Sequence, residues 1–184
     1  ILFINLIIIK MALRDNRILK EFKNLKKEKD ANISAELVGD NINQWRATII
    51  GPVGTAYEYG IFNLSIDIPG DYPLIPPKIK FITPVYHPNI NKSGHICLDI
   101  LKESGWSPAQ TIRTLLISII SLLNEPNPDD PLVGSIAREY KDDFRLFKKN
   151  ARKHTEKYAT GNDDKKKEDN NLTVDGLAGS DGRL

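Results

Sequence analysis

The chain has 184 residues, with 26 Lys+Arg against 24 Asp+Glu (a formal net charge of +2) and 40% hydrophobic residues. That is room for one domain with a sizeable core and a tail, and the composition is globular rather than disordered or fibrous. The near-balanced charge argues against nucleic-acid binding as the main activity, and a single Cys excludes an internal disulfide framework and any multi-cysteine metal site.

Residues 1–10, ILFINLIIIK, offer nine residues before Lys10, against about 20 apolar residues for a bilayer crossing. They also lack the basic start and cleavage pattern of a secretory signal. Met11 is the only Met and reads as the natural start, with 1–10 an upstream or non-native segment rather than a membrane anchor. From there Leu13, Ile18, Phe22 and Leu25 form one stripe of an amphipathic helix. Its other face is basic: residues 10–30 hold eight Lys/Arg against four Asp/Glu, which alone is the pattern of a solvated helix face.

Four strands are predicted next, at Ile33–Val38, Gln44–Ile50, Ile61–Ile68 and Lys78–Ile82, each rich in β-branched or aromatic residues and bounded by Gly, Pro or Asn. Short connections such as Gly39-Asp40-Asn41 imply an antiparallel meander. Pro73, Pro76 and Pro77 predict a stiff extended segment before the last strand. Between Thr83 and Gly105 the pattern loses its period, and a long irregular stretch inside a compact domain is usually functional. Ser107-Pro108-Ala109-Gln110 predicts a capping box, with Ser at the N-cap and Gln at N3, opening a central buried helix over TIRTLLISIISLLN. The EPNPDDP run at 125–131 stops it, and Ile136, Tyr140, Phe144, Phe147 and Ala151 mark C-terminal helices. Residues 161–184 read as a disordered, solvated tail. The whole is an α+β fold: N-terminal helix, four-stranded antiparallel meander, loop region, central helix and C-terminal helices over residues 11–160.

Cys97 lies in the irregular stretch, in GHICLDI at 94–100, downstream of YHPN at 86–89. A lone Cys is a buried filler or a reactive thiol. As a hydrolase nucleophile it would need an imidazole in reach and a group to orient it. His95 is close in sequence, no orienting partner is evident, and His154 falls on a remote polar helix. One Cys and three scattered His match no metal-ligand spacing.

The runs YHPNI (86–90), GHICLDIL (94–101), GWSPAQTI (105–112) and NEPNPDDPL (124–132), with TIIGPVGTAYEYGIF (48–62), DYPLIPPKIKF (71–81) and the MALRDNRILKEF opening, resemble ubiquitin-conjugating enzymes over nearly all of residues 11–158. The likeness is to the small, broadly acting branch with little beyond the catalytic core. It implies that Cys97 accepts ubiquitin as a thioester from the activating enzyme and passes it to a lysine or to a ligase cysteine. In this resemblance Asn89 stabilises the oxyanion or holds the active-site loop, while His87 and Pro88 shape that loop. Asp130 positions the incoming lysine and is also a candidate helix N-cap before Leu132. Asp99 is a further acid beside the site, and Tyr86 and Leu98 wall the groove for ubiquitin's tail.

The resemblance also makes Arg17 and Lys20 contacts for the activating enzyme, and Leu74, Ile75, Pro108 and Ala109 the ligase patch. Ser34 becomes a site for a second, non-covalent ubiquitin. It implies RING-type ligases as partners, HECT-type ones less firmly, no bound cofactor or metal, no nucleic acid and no membrane. The expected attributes are ATP binding and a place in the ubiquitin and protein-degradation pathway, in the cytoplasm and also the nucleus. No Lys or Arg flanks Cys97 in sequence, so a strongly depressed thiol pKa is not expected. The chain departs from the branch at Leu74 and Ile75, where Phe and Lys are usual, at Gln110, where an apolar residue is usual, by one extra residue between Leu101 and Trp106, and by two near Asp15. A non-catalytic ubiquitin-binding variant, and conjugation of another ubiquitin-like modifier, stay open at this point.

Overall fold

The structure is a computed structural model that describes residues 2–28 and 30–160. The element order is α1 (Leu2–Glu28), β1 (Ile33–Val38), β2 (Asn41–Ile50), β3 (Ile61–Asp67), β4 (Lys78–Phe81), a 3-10 turn (Asp99–Leu101), α2 (Ile112–Asn124), α3 (Gly134–Asp142) and α4 (Phe144–Tyr158). The strands pair in sequence order as one antiparallel meander, β1-β2-β3-β4, which is the predicted α+β architecture.

Alternation along the strands gives the sheet its buried face. On β3, Phe62, Leu64 and Ile66 are buried while their neighbours are only partly so. Across the core, α2 buries Ile112, Leu115, Leu116, Ile119, Leu122 and Leu123, the 3-and-4 spacing of one helix face. Burying each such side chain favours folding by about 1.5–3 kcal/mol. Ile18 and Leu25 of α1 join the same cluster, and Trp45 packs edge-on to Phe22 at 5.1 Å.

Three local expectations are corrected. The helix opens at Leu2 rather than near Leu13, so residues 2–10 run on as part of α1, with Ile4, Leu6, Ile8 and Ile9 exposed. The capping box of α2 is Thr111 with Thr114, not Ser107 with Gln110: the Thr111 side chain accepts from Thr114 N, and Thr114 Oγ1 accepts from Thr111 N at 2.9 Å. Ser107 instead sits in a turn closed by Gln110 N donating to Ser107 O at 2.9 Å. Around Pro73 the chain turns rather than extends, with Leu74 N donating to Asp71 O at 2.8 Å. The tail at 161–184 lies outside the described residues.

Candidate active site

The segment bearing Cys97 has no long strand to hold it, so it is pinned bond by bond. Phe81 N donates to Gly94 O at 2.9 Å, Asn91 N to His95 O at 3.0 Å, and Cys97 N to Asn89 O at 2.8 Å. Gly94 is required here: its φ is +80°, and a Cβ would stand 2.0 Å from the carbonyl oxygen of Phe81.

The His87-Pro88-Asn89 run is a three-pronged brace that ties this segment to the end of α2 and to the α2–α3 loop. His87 is fully buried; Nε2 lies 2.9 Å from Leu122 O and so carries the proton, while Nδ1 accepts from Asn89 N at 3.0 Å. Desolvation pushes its pKa down to about 4, so the ring is neutral, and the loop-shaping reading fits. Pro88 O accepts from both Leu132 N and Val133 N at 2.9 Å. Asn89, only 1% exposed, donates through Nδ2 to Asn127 O at 2.7 Å and Asp130 O at 2.9 Å, and accepts at Oδ1 from Asn127 N at 2.8 Å. Both amide hydrogens are committed, so the geometry gives Asn89 the loop-holding role and leaves it no free donor for an oxyanion.

What Asn89 holds in place is the backbone of Asp130, whose Oδ2 stands 3.3 Å from Cys97 Sγ. Asp130 is not a helix N-cap: α3 begins after Val133 with no side-chain cap, because Pro88 O fixes the chain there instead. Cys97 is partly buried and its thiol pKa is raised, first by desolvation and then by the hydrogen bond to Asp130, with the charges of Asp130 and Asp99 adding to the rise. One cation opposes this. Lys102 Nζ lies 2.8 Å from Asp99 Oδ1 and 3.6 Å from Asp130 Oδ2, and its charge lowers the thiol pKa. Asp99 stands at the exposed rim and touches the site through Lys102. No hydrogen bond joins the thiol to an imidazole among the described residues, and the His154 ring lies tilted against Tyr158 with centroids 4.5 Å apart, so the pairing a Cys hydrolase needs is not made. Tyr86 turns away from the site, its hydroxyl on Glu139 and its ring beside Phe147 and His154, so it does not wall a groove at Cys97.

Of the residues expected to meet ligases, Leu74 is 63% exposed and Pro108 and Ala109 are exposed, while Ile75 is half-buried. Leu74 lines a groove of about 560 Å3 against Met11, Leu13, Arg14 and Arg17 of α1. Trp106 Nε1 donates to Pro73 O at 2.7 Å and ties the two loops together. Arg17 is largely spoken for: Nε is paired with Glu21, and Nη2 donates to Gln110 O at 2.8 Å and Pro108 O at 3.2 Å. Glu21 in turn accepts from Tyr72 OH at 2.6 Å and caps α2 through Ile112 N at 2.8 Å. Arg14 likewise points inward, to Pro69 O at 2.9 Å. The basic face of α1 is thus partly a tertiary clamp, and Lys20 is exposed on it. Gln110 Oε1 is buried with no partner. Ser34 is exposed on β1, opposite Thr48.

Lys102 and Asn127 were missing from the sequence reading. Lys102 lies five positions past Cys97, and only the 3-10 turn at 99–101 folds it back over the site; a Lys three residues after an Asp was the available signal. The added length before Trp106 is taken up by a turn in which Gly105 N and Trp106 N both donate to Lys102 O at 3.0 Å. Asn127 acts through its backbone, which no residue type reveals. Among the described residues no cluster of His, Cys, Asp and Glu is arranged to hold a metal ion, and no helix is long and apolar enough to cross a membrane.

The family model described as ubiquitin-conjugating enzyme matches residues 17–155. A Toxoplasma gondii ubiquitin-conjugating enzyme E2 domain is 47% identical, with a TM-score of 0.73 over 78% of this chain and 97% of that one. The crystal structure of a proposed ubiquitin-conjugating enzyme from Plasmodium yoelii is 48% identical, with a TM-score of 0.76 over 80% of this chain and 96% of its own. With the sheet, the brace and the thiol–carboxylate pair all falling inside the matched residues, the chain belongs to the ubiquitin-conjugating enzyme family.

Proposed function

We propose that this chain carries ubiquitin as a thioester on Cys97 and transfers it to a lysine amine or to a ligase cysteine. The observation that carries the reading is a partly exposed thiol 3.3 Å from a carboxylate whose backbone is clamped by a buried Asn. In the loading step the Cys97 thiolate attacks the C-terminal carbonyl of ubiquitin on the activating enzyme. A new C–S bond forms, the old one breaks, and the activating enzyme's thiolate leaves. In the transfer step a neutral amine attacks the same carbonyl, the isopeptide C–N bond forms and Cys97 leaves as thiolate. A lysine has an ordinary pKa near 10.4 and must shed a proton first, so a carboxylate at the lip of a partly desolvated site suits both orienting the ammonium and taking its proton.

The raised thiol pKa does not disqualify the nucleophile. A less acidic thiolate is intrinsically more nucleophilic, and exposure supplies access. In this reading ATP is consumed by the activating enzyme, and the chain is assigned no nucleotide site. The activating enzyme is met through the exposed face of α1 around Lys20, with Arg17 contributing through its hold on the 108–110 loop. Ligases are met at Leu74, Ile75, Pro108 and Ala109, and Ser34 offers the sheet-face contact for a second ubiquitin. Cytoplasm and nucleus are the proposed compartments.

The test is to mix the chain with activating enzyme, ATP and ubiquitin, then compare gels run with and without reductant. A reductant-sensitive adduct one ubiquitin heavier is expected, and Cys97→Ser should give a reductant-resistant oxyester because an alkoxide is the poorer leaving group. No adduct with any modifier would sink the proposal.

A further inference from the structure

The loop Gly54–Glu58 and the first half of α4 enclose a groove of about 660 Å3, which Cys97 does not line, continuous with a smaller recess of about 160 Å3 that reaches Asn124 and Pro126. Its floor is apolar, with Phe144 left 54% exposed. Its rim carries Arg145, Lys148, Lys149 and Arg152 against one carboxylate, Glu58. Glu58 is already engaged by Gly54 N at 3.0 Å, and Arg152 by Glu156 and Glu58 O. Among the described residues Arg145 and Lys149 pair with no acid, so the groove presents uncompensated positive charge beside exposed apolar surface. That combination fits an acidic segment with aliphatic anchors.

The chain supplies one. Residues 168–181, EDNNLTVDGLAGSD, contain four acids and no Lys or Arg, with Leu172, Val174 and Leu177 among them. The described chain ends beside the groove's wall: Ile61 N donates to Ala159 O at 2.9 Å, and Thr160 bridges Ile61, just past the loop that forms one side. Running back along α4 from Tyr158 to Lys148 covers about 15 Å at ~1.5 Å per residue. Residues 161–167 can span up to about 23 Å at ~3.3 Å each. The acidic stretch therefore reaches the groove with slack. We propose that residues 168–181 dock in cis into the α4 groove, with acids on the Arg145/Lys148/Lys149 rim and aliphatic side chains on Phe144. The docked segment abuts Asn124 and Pro126, at the root of the loop that carries Asn127 and Asp130.

The experiment uses the full chain as Cys97→Ser/Ser180→Cys with a nitroxide on residue 180, read by amide NMR. Signals of residues 54–58 and 145–149 should lose intensity, and the loss should persist on dilution. It should disappear near 1 M salt, where the screening length falls to ~3 Å. Arg145→Glu/Lys148→Glu/Lys149→Glu should abolish the loss with amide dispersion intact, and adding Glu168→Lys/Asp169→Lys/Asp175→Lys to it should bring the loss back. Absence of the effect at the groove, its appearance elsewhere, or its vanishing on dilution (the tail of a second copy) each overturns the proposal.

Discussion

Cys97 Sγ and Asp130 Oδ2 stand 3.3 Å apart across a loop junction 33 residues wide in sequence, and a third group, Lys102 Nζ, lies 3.6 Å beyond the carboxylate. The thiol therefore titrates in a field it shares with two acids and one cation. Asp130→Asn removes a charge that raises the thiol pKa, and Lys102→Ala removes one that lowers it. Alkylation by iodoacetamide across a pH series should show the first variant reacting faster than wild type near neutrality and the second slower. Coincident profiles for all three would mean the carboxylate does not face the sulfur in solution.

Asn89→Ala breaks three hydrogen bonds at a buried position and releases the backbone of Asp130. Each loss costs about 1 kcal/mol, more where a partner is left buried and unpaired. Loading with ubiquitin should survive, since Cys97 itself is untouched. Discharge to free lysine should slow on the order of 100-fold, the scale of misplacing a positioned group by about 1 Å. Asp130→Ala should show the same split. Equal discharge rates in wild type and both variants would show that the loop does not serve the amine.

His87 titrates near 4 in the fold against an ordinary 6.5, so folding favours the neutral ring. Above pH 6.5 both folded and unfolded forms are neutral and the full contribution is present. As pH falls through 6.5 toward 4 the unfolded chain takes up the proton first, and about 3 kcal/mol of stability is lost. Thermal melts across this window should fall more steeply for wild type than for His87→Gln. Parallel profiles would contradict a buried, neutral His87.

Leu74 and Ala109 flank the tie between Trp106 and Pro73 and remain exposed. Under the proposed ligase contact, Leu and Ile in place of the Phe and Lys usual in the branch it resembles would offer less aromatic area and no rim charge, a poorer match for a deep HECT-type pocket than for a shallow RING-type surface. Leu74→Phe/Ile75→Lys should raise transfer with HECT-type ligases. Ala109→Asp should suppress RING-stimulated discharge and leave loading intact. Unchanged transfer with every active ligase would remove these residues from the interface.

The strands were legible because alternating burial writes itself into residue type, as at Phe62, Leu64 and Ile66. The start of α2 was misplaced because the deciding contacts are tertiary: Glu21, 91 residues away, caps Ile112, and Arg17 takes the carbonyls of Pro108 and Gln110. Cys97, Asn89 and Asp130 became a site in the sequence only through resemblance, since nothing in their spacing says that a side-chain amide reaches the main chain 38 and 41 residues on. Lys102 is not legible as a site residue because it lies five positions past Cys97 and reaches the thiol only through the 3-10 turn at 99–101.

Pro88 has a consequence for the timing of catalysis. Its carbonyl receives two amide hydrogens, Leu132 and Val133, and so freezes the exit of a loop that contains no regular structure of its own. Ordering a residue's backbone costs about 1–2 kcal/mol in entropy, a cost that a floppy loop would meet again at every turnover. Here it is met once, when the chain folds, and in the proposed transfer an arriving lysine would find the carboxylate already at its station.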